Sequence, residues 1–226
     1  RGSKRVASFS FYERLGFWPL HFLAKGLLSL WGGLKIRGRQ NWPLRGGCIL
    51  ACNHISLADP VMLLATLPRP LYYMAASDLF EIPYFSQLIT ALRAFPVKRG
   101  GQDRQALSRC RQLLEAGEAV VIYPEGKLGP SGQLGPLQSG VVMLAMKAQV
   151  PIYPIWQVGS DKFLPTGAKF IRWAPKEVRF GPPLYLPPLT QGEGRSVRQQ
   201  LTEANELLRE ALLTLGGLPS SERPNS

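Results

Sequence analysis

Short apolar runs alternate with helix-patterned stretches along most of this 226-residue chain. The runs are rich in valine, isoleucine and leucine, which is typical of strands buried on both faces of a sheet. Between them, apolar residues recur at helical spacing; Ala106, Cys110 and Leu113 share one face of such a stretch, which stops at Gly117. This alternation predicts an α/β fold in which helices flank a mixed central sheet.

The same pattern predicts where the elements lie. Predicted strands cover residues 34–37, 47–52, 71–75, 94–97, 119–123 and 152–158, followed by a pair at 170–173 and 177–180. Predicted helices cover residues 61–66, 84–92, 103–116, 139–149 and 195–215. Several prolines lie near the last pair of strands, which favours positions at the edge of the sheet. The last helix carries an apolar stripe that we expect to dock on the core.

The charge of the chain is unevenly distributed. The formal net charge is +12, which indicates an anionic partner. In the first 45 residues nine cations face one acid, Glu13, with aromatic residues and leucines between them. Such a mixture suits the headgroup region of a bilayer, whereas an arm that binds nucleic acid is usually polar between its cations. We therefore predict that residues 1–33 associate with an anionic membrane surface and that no nucleic acid is bound.

Residues 15–34 approach the length of a transmembrane helix but contain His21 and Lys25, and Pro19 is expected to break the middle. We predict one or two short helices that lie on the membrane or dip into it. The alternative is an amphipathic helix packed on the protein's own core.

Three cysteines, Cys48, Cys52 and Cys110, match no zinc or redox spacing, and their odd number argues against a disulfide framework. Cys48 and Cys52 belong to or border a predicted strand, where cysteine serves as a small apolar residue. This usage favours a reducing, cytoplasm-facing environment. The polar tail at residues 217–226 is predicted to be disordered.

The strand at residues 47–52 leads into Asn53-His54-Ile55-Ser56-Leu57-Ala58-Asp59-Pro60. On one helix, side chains five residues apart would point about 140° away from each other. His54 is therefore expected at the strand end and Asp59 at the start of the next helix, so that a turn can fold the carboxylate onto the imidazole. A histidine held by a carboxylate can remove a proton from a hydroxyl. The alternative is an Asp-Pro helix cap with a loop hydrogen bond.

Two further loops place polar residues where predicted strands end, and ligands of α/β sheets collect there. Lys98 and Arg99 follow residues 94–97 and are candidates to hold a phosphate, although a solvated basic turn would look the same. Glu125 and Gly126 follow residues 119–123, where a carboxylate could accept hydrogen bonds from substrate hydroxyls.

Four blocks in this order resemble the glycerolipid acyltransferase family that includes the 1-acylglycerol-3-phosphate acyltransferases. The first, N-H-x-S-x-x-D, is met in full, and the second ends in a basic residue and a glycine after an aromatic-apolar core. The matching residues are Asn53, His54, Ser56 and Asp59, then residues 95–100, then Pro124, Glu125 and Gly126, and finally Val150, Pro151, Ile152 and Pro154. The resemblance spans residues 34–158 and implies an acyltransferase domain at residues 34–216.

The resemblance implies transfer of a fatty acyl group from a coenzyme A or acyl-carrier-protein thioester to a hydroxyl of lysophosphatidic acid or a related lysolipid. His54 would be the general base, supported by Asp59, with Asn53 and Ser56 shaping the loop. The residues implied in acceptor or phosphate binding are Lys98, Arg99, Glu125, Gly126 and Lys127. The segment with Pro151, Ile152 and Pro154 would wall an acyl channel, or else form a core strand. No cofactor or metal is implied.

The chain departs from the family pattern at two places. Lys127-Leu128 replaces the family's Thr-Arg, and Gln138 and Ser139 stand where relatives often carry a lysine. An ammonium does not reproduce the bidentate contact of a guanidinium. A different lysolipid or alcohol acceptor is therefore an alternative. Two rival functions are hydrolysis of the thioester and non-catalytic lipid binding by a basic module.

Overall fold

A seven-stranded sheet organises the described part of the chain. The computed structural model describes residues 11–83, 85–98, 103–190 and 194–219. The strands are β1 (Leu34–Arg37), β2 (Cys48–Cys52), β3 (Leu71–Ala76), β4 (Ala94–Val97), β5 (Ala119–Ile122), β6 (Ile152–Val158) and β7 (Lys176–Phe180). Their order is β1-β7-β6-β2-β5-β3-β4. All neighbouring pairs are parallel except β6 and β7, so the predicted mixed sheet is confirmed.

Helices cover both faces of this sheet. They are α1 (Phe11–Leu30), α2 (Asp59–Thr66), α3 (Phe85–Ala91), α4 (Arg104–Glu115), α5 (Gly140–Ala148), α6 (Ser160–Phe163) and α7 (Val197–Gly216). Alternate residues of β2 enter opposite cores because strand side chains alternate between faces. Leu50 packs with buried residues of α1 and α2, whereas Ile49 packs with those of α4, α5 and α7. The predicted docking of the last helix on the core is confirmed.

Local signals explain the ends of the helices. The Asp103 carboxylate accepts hydrogen bonds from the backbone N–H groups of Gln105 and Ala106 and so caps α4. Ser196 and Gln199 form a reciprocal capping box at the start of α7. The predicted helix bounds are therefore within a few residues of those observed.

Two predictions about the later strands are wrong. Residues 170–173 form no strand, and β7 lies inside the sheet, between β1 and β6. The sequence predicted residues 170–173 and 177–180 as a pair of edge strands. Instead β7 pairs with β1, which lies far away in sequence, and the prolines follow β7 without interrupting it.

Helix α1 is continuous through Pro19, so the expected break is absent. A helical proline forfeits one backbone hydrogen bond. Here one buried face, with Phe17, His21 and Leu28, holds both halves of the helix against the core. In addition, His21 Nδ1 lies 2.7 Å from the Leu64 carbonyl oxygen. Among the described residues, no helix has the length and apolar character needed to cross a bilayer.

Candidate active site

The loop between β2 and α2 brings His54 and Asp59 together. His54 Nδ1 lies 2.9 Å from Asp59 Oδ2. The imidazole is 17% exposed and the carboxylate is fully buried. With Nδ1–H donating to the carboxylate, the lone pair of the ring lies on Nε2, the nitrogen that can accept a proton from a hydroxyl.

Asp59 is fixed by more than the imidazole. The backbone N–H groups of Ile55 and Ser56 donate to the same oxygen, Oδ2, at 2.8 and 2.9 Å. Asp59 is also the first residue of α2, where the positive end of the helix dipole favours a negative charge. Oδ2 is therefore held by the imidazole and by two backbone donors, whereas Oδ1 is buried without a hydrogen-bond partner.

Asn53 and Ser56 tie this loop to its surroundings. Asn53 Nδ2 donates to the Gln157 carbonyl at 3.0 Å, and Gln157 N–H donates to Asn53 Oδ1 at 2.6 Å. This pair continues the β2–β6 pairing beyond the end of β2. Ser56 Oγ donates to the Leu164 carbonyl at 2.8 Å and accepts from Ala58 N–H at 3.1 Å. Both side chains are buried, and the groups they bond to are backbone N–H and carbonyl groups.

Glu125 lies beside His54 because β5 is the neighbour of β2 in the sheet. Its Oε1 accepts the His54 backbone N–H at 3.0 Å, and its Oε2 accepts the Gly135 N–H at 3.0 Å. The residue is buried. A Cβ at Gly129 would come within 2.7 Å of Oε2, so a residue with no side chain is needed there. Both carboxylate oxygens thus hold loops in place.

The loop after Glu125 is held at several points. Gly129 N–H donates to the His54 carbonyl at 2.7 Å, and Arg209 of α7 donates to the Gly135 carbonyl at 3.0 Å. Gly126 has a left-handed backbone, with φ of 70°, and a Cβ there would meet the Gln138 side chain at 2.2 Å. The left-handed backbone therefore favours glycine at Gly126.

Tyr123 forms one side of the site. Its ring stacks on the His54 imidazole, with centroids 4.0 Å apart and planes at 21°. Burial, and then the nearby Asp59 carboxylate, raise the pKa of Tyr123 well above its usual value. The phenol therefore stays neutral beside the imidazole.

Two of the three cations predicted for the acceptor, Lys98 and Lys127, follow strands that end on the same side of the sheet as β2. Lys127 is exposed, two residues beyond Glu125. Lys98 is exposed at the end of β4, three strands from β2 and hence about 14 Å away across the sheet. Arg99 lies outside the described residues.

The residues predicted for an acyl channel are not brought to His54. Ile152 is fully buried and pairs with Ile49 at the start of β2, whereas His54 follows the end of that strand. Pro151 accepts the Ile49 N–H, and Pro154 accepts the Gly181 N–H. This placement favours the alternative of a core strand.

Four contacting residues were missed by the sequence analysis: Tyr123, Gln157, Leu164 and Arg209. Gln157 and Leu164 lie more than 100 residues from Asn53 and Ser56, and Arg209 lies 74 residues from Gly135. The signal for Tyr123 was its place immediately before Pro124-Glu125-Gly126. Among the described residues, no three His, Cys, Asp or Glu side chains converge as a metal site requires.

Comparison with known proteins relates this geometry to a family. The family model described as Acyltransferase matches residues 33–158, which include the His54 loop and the Glu125 loop. A chloroplastic 1-acyl-sn-glycerol-3-phosphate acyltransferase of Brassica napus is 31% identical over 162 residues, covering 67% of this chain and 46% of the relative. The chain thus spans about half the length of that relative.

Two further proteins match over more of their length. A 1-acyl-sn-glycerol-3-phosphate acyltransferase of Bacillus subtilis is 28% identical over 188 residues, covering 82% of this chain and 92% of the relative. The crystal structure of the 1-acyl-sn-glycerophosphate acyltransferase PlsC from Thermotoga maritima has the same fold. It superposes with a TM-score of 0.65 at 20% identity, covering 93% of this chain and 82% of that one. Because the family model matches more than half of its residues, this chain belongs to the acyltransferase family.

Proposed function

We propose that this protein transfers a fatty acyl group from an acyl-CoA or acyl-carrier-protein thioester to the hydroxyl of lysophosphatidic acid or a related lysolipid. The observation that carries the proposal is the 2.9 Å contact between His54 Nδ1 and Asp59 Oδ2 at the end of a central strand. The names of the relatives support lysophosphatidic acid as the acceptor.

In the proposed reaction, His54 Nε2 takes the proton of the acceptor hydroxyl as its oxygen attacks the thioester carbonyl carbon. Asp59 stabilises the imidazolium that forms and holds the ring in one tautomer. The tetrahedral intermediate then collapses, the carbon–sulfur bond breaks, and the departing thiolate takes the proton from His54. The acyl group ends on the acceptor oxygen without a covalent enzyme intermediate.

The acceptor headgroup is proposed to lie over the cations at the same edge of the sheet. Lys127, two residues beyond Glu125, is the nearest candidate in sequence for a phosphate contact, and Lys98 and Arg99 are the more distant ones. Gly126 lies between Glu125 and Lys127, with the Gln138 side chain at the position that a Cβ would occupy. Glu125 is proposed to act on the position of His54, because both its oxygens accept backbone N–H groups.

Membrane association is part of the proposal. The face of α1 opposite its buried side carries exposed Trp18, Phe22, Leu23 and Leu27 together with Lys25. A helix of this kind can lie in the interface of an anionic bilayer. The buried free cysteines suit a cytoplasm-facing location.

The test is acyl transfer by the purified chain in lipid vesicles, with lysophosphatidic acid and either donor. His54→Ala should lower turnover at least about 100-fold, since general-base catalysis contributes 10² or more. His21→Asn is the matched control, because it removes the other histidine and its amide nitrogen can replace Nδ1 as the donor to the Leu64 carbonyl; parent activity is expected.

Retention of parent turnover by His54→Ala would contradict the proposal. Release of coenzyme A at the same rate with and without acceptor would show hydrolysis in place of transfer.

A further inference from the structure

The irregular segment between α6 and β7, residues 164–174, exposes unusually large apolar side chains. Phe170 is 81% exposed and Trp173 is 72% exposed, and Ile171 is also exposed. Contiguous aromatic exposure of this size is rare on a soluble surface and marks an interaction site. The residues are the same ones that the apolar pattern placed in a strand.

Both ends of this segment are tied to features already described. At its start, the Leu164 carbonyl accepts the hydrogen bond of Ser56 Oγ, in the loop that carries His54. At its end, Lys176 Nζ donates to the Ala174 carbonyl at 2.8 Å and to the Trp31 carbonyl at 2.6 Å. The segment therefore runs from the candidate active site to the end of α1.

The end of the segment packs against the residues that follow α1. Gly32 packs so tightly on Ala174 that a Cβ would lie 2.3 Å from its carbonyl oxygen. Trp31 and Trp173, the residues immediately before these two, are both exposed. The end of segment 164–174 is thus adjacent to the end of α1, and Leu57, next to Ser56, is exposed as well.

The charges around the segment select one kind of partner. Lys162, Lys169 and Arg172 are exposed, whereas the acid of this stretch, Asp161, is half-buried. Lysine and arginine beside exposed aromatic rings suit the anionic headgroups and the outer acyl region of a bilayer, where each kind of side chain finds its preferred surroundings.

We propose that segment 164–174 is a second membrane contact, in which Phe170 and Trp173 insert into the interface of an anionic bilayer beside α1. Through Leu164 and Ser56 it places the His54 loop at the bilayer surface, so that an acceptor with one acyl chain reaches His54 from the membrane. Its catalytic consequence rests on the proposed function; the membrane contact itself does not.

The first test is co-sedimentation of the full chain with vesicles of equal parts phosphatidylcholine and phosphatidylglycerol. Substituting both aromatic residues, Phe170→Ser with Trp173→Ser, should weaken partitioning at least about tenfold. Substituting both cations, Lys169→Gln with Arg172→Gln, should lower several-fold the ratio of binding to these vesicles over binding to pure phosphatidylcholine vesicles.

Tyr185→Ser is the matched control. Tyr185 is 75% exposed but follows Leu184, which pairs with Ile152 at the far end of the sheet from His54. Partitioning of this variant should equal that of the parent. Parent-level partitioning by the Phe170/Trp173 double variant would overturn the proposal.

A second measurement leaves at least one of the two aromatic residues, Phe170 and Trp173, in place. Because the native cysteines are buried, an environment-sensitive thiol dye can be placed at Phe170→Cys or at Tyr185→Cys. On adding the same vesicles, the dye at residue 170 should shift to shorter wavelength and the dye at residue 185 should not. A concentration-dependent shift without vesicles would show that a second copy of the chain covers the segment, and would overturn the proposal.

Vesicle binding needs no turnover, so the two proposals fail separately. Absence of acyl transfer by the parent chain, with the dye shift intact, would contradict the proposed function alone. Transfer to a micellar acceptor with no dye shift on vesicles would contradict the second membrane contact alone.

Discussion

Three consecutive backbone N–H groups around His54 are held by two buried carboxylates. Glu125 accepts the N–H of His54 itself, and Asp59 accepts those of Ile55 and Ser56. Charge-assisted hydrogen bonds to backbone donors are short and strong, so they fix the loop as well as the ring. The position of the imidazole is therefore set by Asp59 at the start of α2 and by Glu125 in the loop after β5.

Glu125→Gln tests whether this carboxylate positions His54 or binds the acceptor. The amide offers one oxygen, so one of two buried backbone donors should face an NH₂ group and lose its partner. The free energy of unfolding should fall by about 1–3 kcal/mol. In the transfer assay, kcat should fall while KM for the acceptor changes little.

The opposite pattern would assign Glu125 to the acceptor. Suppose that Glu125→Gln greatly raises KM for the acceptor but unfolds in urea with the same free energy as the parent. The oxygens of Glu125 would then bind substrate during turnover. Glu203→Gln is a suitable comparison, since it changes an exposed carboxylate on α7 that accepts a hydrogen bond from Arg195 and belongs to neither loop.

The His54–Asp59 contact was predictable because the two residues lie within one strand–turn–helix unit and the spacing excludes a single helix. The contacts of Glu125 were not. Its partners lie 71 residues before it and 10 residues after it, and only the adjacency of β2 and β5 brings them within reach.

At the scale of elements, α7 shows how an amphipathic helix supports a site it does not enter. Its buried face packs against β6 and α5, and Arg209 on that face donates to the Leu134 and Gly135 carbonyls. Gly135 in turn donates to Glu125. The helix therefore contributes to the position of His54 through two intermediate contacts.

Adjacent leucines on α7 give a matched test of this packing. Leu208 is fully buried and Leu207 is 52% exposed. Leu208→Ala should lower the free energy of unfolding by about 2–5 kcal/mol because it leaves a cavity in a close-packed core. Leu207→Ala should change it by less than about 0.5 kcal/mol. Chemical denaturation measures both, and equal losses would contradict the observed orientation of the helix.

The whole molecule encloses several ionisable groups that must stay neutral. Burial raises the pKa of Cys48 from 9.0 to about 11 and that of Cys110 to about 12. Burial, and then Asp59, raise the pKa of Cys52, and burial raises that of Tyr73. In the unfolded chain these groups return to their ordinary values, so folding and alkaline pH are linked.

The sign of the linkage follows from the direction of the shifts. Between pH 9 and about 11 the unfolded thiols lose their protons while the folded ones keep them, so stability should fall as pH rises, by about 1 kcal/mol per pH unit for each thiol. Burial lowers the pKa of Lys176, which acts in the opposite direction. Below pH 9 the thiol contribution should be constant.

Cys48→Ala checks this linkage. Over pH 9–11 its free energy of unfolding should fall less steeply than that of the parent, whereas Leu207→Ala, at an exposed position without an ionisable group, should keep the parent slope. Parallel curves for Cys48→Ala and the parent would show that Cys48 ionises equally in both states.

By itself the sequence determined the α/β class, the central strands, the approximate bounds of α4 and α7, and the pairing of His54 with Asp59. Each of these depends on periodicity or on contacts within a few residues. Tertiary structure alone decided the order of the strands, the position of β7 inside the sheet, the contacts of Glu125 and the exposure of residues 170–173. These depend on which distant segments become neighbours, and an apolar run reads the same whether the fold buries it in a sheet or leaves it at the surface.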